Sequence, residues 1–181
     1  MATEDTWRPP SEWCPVTRYW HADDDQATEH EVTELVAAFV RALQPEVAAE
    51  TGTWTGQTTK AIGTALARNG HGHLHAVELR PGLAEQARQL CAGLPVTVIT
   101  GDSLTWEPPP GIGFAWIDGA DRRDLEAERI LDRMLPGAVI GIHDTGPLHA
   151  PGRMDWLLAH PRLSSITLRT PRGVSFATVT A

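Results

Sequence analysis

The chain lacks the means to cross a membrane, grip a nucleic-acid backbone or build a disulfide framework. It has no apolar run approaching the roughly 20 residues that a membrane span needs. Its first ten residues, MATEDTWRPP, hold neither a basic region nor an apolar segment, so no secretory signal is expected there. There are 2 cysteines, Cys14 and Cys91, far apart and outside any metal-type spacing, which predicts reduced thiols in a cytoplasmic protein. Fifteen Lys and Arg face 23 Asp and Glu, and a net charge of −8 argues against a nucleic-acid partner, whose phosphates call for clustered cations. No repeat, low-complexity tract or compositional break suggests a second domain. At 181 residues, 41% hydrophobic and 21% charged, the chain reads as one globular unit with a single core and a small-molecule ligand.

Two phosphate-binding signatures are also missing, and the stretch that lacks them is the most informative one. Val47–Thr59 reads VAAETGTWTGQTT: a short apolar run ending a buried strand, the acid Glu50, then Gly52 and Gly56, then the start of a helical pattern. A strand, a glycine turn and a helix build a ligand site at the carboxyl end of a parallel sheet. The spacing is neither G-x-G-x-x-G nor a P-loop, because no Lys-Ser/Thr follows. That disfavours a nicotinamide-dinucleotide oxidoreductase. It favours a ligand with a cationic or neutral tail, which Glu50 would face.

Around this unit the chain alternates strands and helices. Residues 1–27 are irregular, with Pro9-Pro10, Trp7, Trp13, Trp20 and the acid run Asp23-Asp24-Asp25, and are expected to pack on the body or over the site. The acid run is open to two readings, a cation site or a solvated region suiting the positive end of the next helix. Thr28 and Glu31 form the pattern of a capping box, ahead of an amphipathic helix through Val32, Leu35, Val36, Phe39, Val40 and Leu43 that Pro45 ends. The strand His73–Leu79 carries alternating His71, His73 and His75 at its entrance and Glu78 at its carboxyl end. The histidines could share a metal or be polar residues far from the ligand side. Glu78 stands where doubly wound folds accept hydrogen bonds from ribose hydroxyls. A third strand ends in Gly101-Asp102-Ser103, and a fourth in Ile117-Asp118-Gly119. A helix from about Arg122 to Met134, stopping at Pro136-Gly137, precedes a fifth strand over 138–145 that ends in His143-Asp144-Thr145. A short helix near Met154 to His160 and two strands separated by Pro171-Arg172-Gly173 close the chain.

In that order and spacing, Glu50-Thr51-Gly52-x-x-x-Gly56, Glu78, Gly101-Asp102-Ser103, Ile117-Asp118-Gly119 and His143-Asp144-Thr145 resemble a class I S-adenosylmethionine-dependent methyltransferase of the small O-methyltransferase-like branch. The resemblance spans about residues 28–180. It implies a single doubly wound, Rossmann-like seven-stranded α/β sheet, mostly parallel with an antiparallel C-terminal strand. Residues 1–27 would be a tryptophan-rich cap and 28–181 the core domain. Glu50, Gly52 and Gly56 would hold the methionine end of S-adenosylmethionine, Glu78 the ribose, and Asp102 with Ser103 the adenine. Thr53, Thr58, Leu79 and Asp118 complete the implied cofactor-binding set. A cationic sulfonium and ammonium suit acids around the turn.

Asp118, His143 and Asp144 would face the transferred methyl group. The catechol-type branch implies a magnesium ion on Asp118 and Asp144. Here Thr145 stands where that branch has Asn and Asp121 where it has Lys, two departures that count against the metal. The competing reading makes His143 the general base, oriented by an aspartate, and a third makes it a strand-end cap. The expected activity is O-methylation of a small molecule. The alternatives are a non-catalytic cofactor-binding partner or a methyltransferase acting on a macromolecule. With little chain to spare for a lid, a homodimer is a further expectation.

Overall fold

A computed structural model describes residues 9–119 and 121–180. The five apolar runs become strands β1 (Val47–Thr51), β2 (His73–Glu78), β3 (Val96–Thr100), β4 (Ile112–Ile117) and β5 (Met134–His143). Five helices, α1 (His30–Leu43), α2 (Gln57–Asn69), α3 (Pro81–Leu90), α4 (Arg123–Leu131) and α5 (Arg153–Ala159), lie between or beside them, and β6 (Leu163–Leu168) and β7 (Val174–Val179) finish the chain. The strands form one seven-stranded sheet in the order β3-β2-β1-β4-β5-β7-β6. The first five pair in parallel, and β7 is antiparallel to both neighbours. This is the doubly wound arrangement expected.

Side chains on successive strand residues point to opposite faces, so the sheet splits the core in two. Ala48, Leu74, Phe114, Trp116 and Phe176 pack on one face with Val36 and Val40 of α1 and Ile62 and Leu66 of α2. Ala49, Ala115, Ile117, Ile140 and Ile142 pack on the other with Ala127, Ile130 and Leu131 of α4 and Leu157 of α5. Chain connections diverge where β1 meets β4, and such a switch point leaves a crevice at the carboxyl ends of the strands. No helix among the described residues is long and apolar enough to cross a membrane.

Two local expectations give way. The capping box does not form: Glu29 is the N-cap of α1 and makes no side-chain cap. Thr28 donates its hydroxyl to Asp118 instead, and Glu31 is taken by His21. Helix α4 ends at Leu131, and Pro136-Gly137, read as its stop, lies inside β5. There the pairing with β4 jumps from Ile112–Met134 to Phe114–Val139. The bulged segment tolerates proline because it has left the ladder. Trp7 lies outside the described residues, Trp13 donates its indole N–H to the Thr170 carbonyl, and Trp20 packs on the first core cluster.

The two glycines of the turn do different things. At Gly52 (φ +73°), a Cβ would sit 2.5 Å from the Asp118 carbonyl oxygen, so only glycine lets the turn approach the end of β4. At Gly56 (φ +94°), a Cβ would meet the Ala87 Cα at 2.8 Å, so this glycine lets α2 start against α3. Gly70 has nearly the same backbone (φ +79°) with nothing within 4 Å of its Cβ position. Gly56→Ala is therefore expected to add an overpacking cost of about 1–3 kcal/mol to the left-handed strain that Gly70→Ala alone incurs. Urea unfolding of both variants measures the difference, and equal losses would remove the packing role of Gly56.

Candidate functional site

The carboxyl ends of β1 to β5 surround a cavity of ≈ 340 Å³. Its wall includes Gly52, Thr53, Thr58, Glu78, Leu79, Asp102, Ser103 and Asp118, eight of the ten residues singled out for the cofactor, together with Asp144. Gly56 and Glu50 are not on the wall: Gly56 is committed to the helix contact, and Glu50 is fully buried beneath the turn.

Glu78 organises the turn. Its Oε2 accepts the backbone N–H groups of Thr53 and Trp54, each at 3.1 Å, and its Oε1 accepts that of Arg80 at 3.0 Å. Trp54 is held with φ +48°, a costly conformation for a bulky residue. Three contacts fix it there: the Glu78 bond, an indole N–H donated to Asp24 at 3.0 Å, and the Arg80 guanidinium 4.4 Å from its ring centre. The acid run thus fastens the N-terminal segment to the turn, since Asp23 also pairs with His30 and accepts from Gln57. His71, His73 and His75 lie at the opposite end of the sheet, where His71 pairs with Glu46 and His73 bonds Thr97.

Glu50 is an acid without a hydrogen-bond partner at either oxygen among the described residues. Burial pushes its carboxyl up to about 8, with the nearby Thr59 hydroxyl pulling the other way and the charges of Asp118 and Glu78 adding to the rise.

At the other end of the cavity Asp118, His143 and Asp144 come together, each with a ligand-type atom within 4.8 Å of the others. His143 does not line the cavity. It is fully buried, its Nδ1 donates to Asp118 at 3.2 Å, and its Nε2 faces Glu29 at 2.7 Å. Burial would lower its basicity, but the Asp118 and Glu29 carboxylates outweigh that and raise it to about 9. An imidazolium that donates from both nitrogens offers no lone pair to a metal and accepts no proton from a substrate. Asp118 and Asp144 are both held below the usual carboxylate range: burial opposes this, and the His143 and Arg123 charges overcome it.

Two arginines complete the cluster, and neither has a local signature in the sequence. Arg123 Nη2 donates to Asp118 Oδ1 at 2.6 Å and to Asp144 Oδ2 at 2.9 Å. Arg172, from the turn between β6 and β7, forks onto both oxygens of Asp144 and donates to the carbonyls of Asp25, Gln26 and Ala27. Thr28 fills the remaining Asp118 oxygen at 2.9 Å. Every oxygen of the two aspartates is therefore taken. Thr145 is fully buried, bonded to Ser175 at 2.8 Å and absent from the cavity wall. Two carboxylates with water can hold a divalent metal, but here the Arg123 and Arg172 guanidinium groups already sit on both, so this donor set fits a metal poorly.

A family model described as a methyltransferase domain matches residues 49–145. No curated protein matches the sequence. Among solved structures, the O-methyltransferase TomG of Streptomyces achromogenes, involved in tomaymycin synthesis and in complex with SAM, is 22% identical with a TM-score of 0.69, covering 87% of this chain and 83% of that one. An O-methyltransferase from Bacillus cereus in complex with SAH is 22% identical, TM-score 0.72, with 87% and 84% covered. An SAH-bound methyltransferase of Podospora anserina is 18% identical, TM-score 0.72, with 91% and 84% covered. At these identities the likeness is one of fold.

Glu50 and His143 both bind protons more tightly in the folded protein, Glu50 at about 8 against an ordinary 4.5 and His143 at about 9 against 6.5. The folded state then holds more protons than the unfolded one, so stability falls as pH rises. Glu50 governs the fall up to about pH 8 and His143 the fall through about pH 9. Glu50→Gln is expected to flatten the lower part and leave the upper part intact, as measured by urea unfolding at stepped pH. An unchanged profile would contradict the assignment to Glu50.

Proposed function

The chain belongs to the methyltransferase-domain family, and from that premise we propose that it transfers a methyl group from S-adenosylmethionine to an oxygen of a small molecule. The observation that carries this reading is the gathering of eight cofactor-type residues, from four strand ends and the start of α2, on the wall of one ≈ 340 Å³ cavity. Bound S-adenosylmethionine supplies a methyl group on a cationic sulfur; an acceptor oxygen takes it in line as the carbon–sulfur bond breaks, leaving a neutral thioether and releasing the acceptor's proton.

The protein's part in such a displacement is mainly placement. Glu78 takes the ribose hydroxyls: an ionised carboxylate has about four acceptor sites, and the three backbone N–H groups leave capacity. Gly52 and Thr53 bring the backbone close to the methionine end of the cofactor. Asp102, whose Oδ1 already caps the turn at Leu104, lies with Ser103 by the adenine. Asp118 and Asp144 form the acceptor end, positioned by His143 from behind rather than assisted by it as a base.

Residues 1–27 serve as a cap over this site and 28–181 as the core, a division supported by the Asp24–Trp54 and Trp13–Thr170 contacts. The buried unpaired thiols of Cys14 and Cys91 accord with the cytoplasm. A homodimer remains part of this reading, and light scattering would detect it as a dimer mass.

S-adenosylhomocysteine is expected to raise the unfolding midpoint, with about 2.7 kcal/mol of stabilisation at 100 times its dissociation constant. NAD should leave the midpoint unchanged, and Glu78→Gln should weaken the homocysteine ligand tenfold or more. Labelled methyl transfer to a phenol and carboxylic-acid panel then identifies the acceptor. No shift with S-adenosylhomocysteine would overturn the reading.

A further inference from the structure

We propose that the Arg123 guanidinium is a built-in substitute for a divalent cation at the acceptor end, so that this protein neither binds nor needs such a metal there. Arg123 begins α4, where the helix dipole is positive and disfavours a cation. Its side chain is nonetheless buried and spans Asp118 and Asp144 from a single nitrogen, at 2.6 and 2.9 Å. The two aspartates hold it there, in the bridging position a shared metal would occupy.

The electrostatics close without another ion. Glu29, Asp118 and Asp144 supply three negative charges, and His143, Arg123 and Arg172 three positive ones, all linked by hydrogen bonds, while Glu126 beside Arg123 and Arg153 beside Asp144 add one charge of each sign. A divalent ion would have to displace Arg123 and approach Arg172 and His143 against their charge. A guanidinium also differs from a metal in what it can do: it offers N–H donors in a fixed plane and no vacant coordination position. It can orient an acceptor oxygen, and it cannot acidify a hydroxyl by direct coordination. That consequence for catalysis rests on the methyl-transfer reading; the claim about cation binding stands apart from it.

Manganese binding followed by electron paramagnetic resonance, on wild type with and without S-adenosylhomocysteine, separates the two. Wild type is expected to leave millimolar manganese free in both conditions, and EDTA to leave the homocysteine-induced rise in unfolding midpoint unchanged. Arg123→Ala is expected to open the aspartate pair and acquire a manganese site that a second substitution, Asp118→Asn, removes. Manganese bound by the wild type and lost in Asp118→Asn would overturn the proposal. So would an Arg123→Ala protein that folds, by circular dichroism, yet binds no manganese. If that variant does not fold, the wild-type and Asp118→Asn titrations still decide. Absence of any homocysteine shift would defeat the methyl-transfer reading while leaving the manganese result valid.

Discussion

The Asp118 carboxylate is the point on which the active end of this molecule depends. It lies just beyond β4, receives Thr28 from the N-terminal segment, His143 from the end of β5 and Arg123 from the first turn of α4. Through His143 and Arg123 it is joined to Glu29 and Asp144, and through Asp144 to Arg172 in the last turn of the chain. Segments from residue 25 to residue 172 are thereby drawn to one spot. Stripping a charge of water costs several kcal/mol, so a buried ion survives only among partners that repay the loss. The cluster persists because its charges cancel, and its geometry is fixed for the same reason: moving one member leaves another unpaired.

This divides the cavity into two ends with different physics. At the end that Glu78 organises, the glycine turn presents a rigid backbone, and Glu50 lies buried beneath it with the Thr59 hydroxyl close by. At the acceptor end the protein leaves nothing unpartnered on either aspartate. This second end already contains its own cations.

The parts of this design that are local are legible in the sequence. Short apolar runs ending in an acid mark the strands and the cavity wall, because a strand's carboxyl end and the crevice above it follow from the chain order alone. The bond between Thr28 and Asp118, 90 residues apart, has no local signature and overrides a pattern that does. Arg122 and Arg123 are indistinguishable neighbours until the start of α4 directs one toward the aspartates and the other to Asp124 at the surface. Arg172 reads as part of a turn because nothing near it in sequence announces Asp144. The histidine at the end of β5 reads as a group that meets the substrate, and burial between two carboxylates makes it a support instead.

Whether these charges form one mutually dependent set is tested most directly by a double-mutant cycle on Asp144 and Arg172, read by urea unfolding. Asp144→Asn and Arg172→Gln each leave the buried cluster with one uncompensated charge, at an expected cost of about 3–5 kcal/mol. The double variant leaves neither, and is expected to cost well below the sum of the two, with a coupling above about 1 kcal/mol. Additive losses would mean that the arginine and the aspartate act independently, and would contradict a self-neutralising acceptor end.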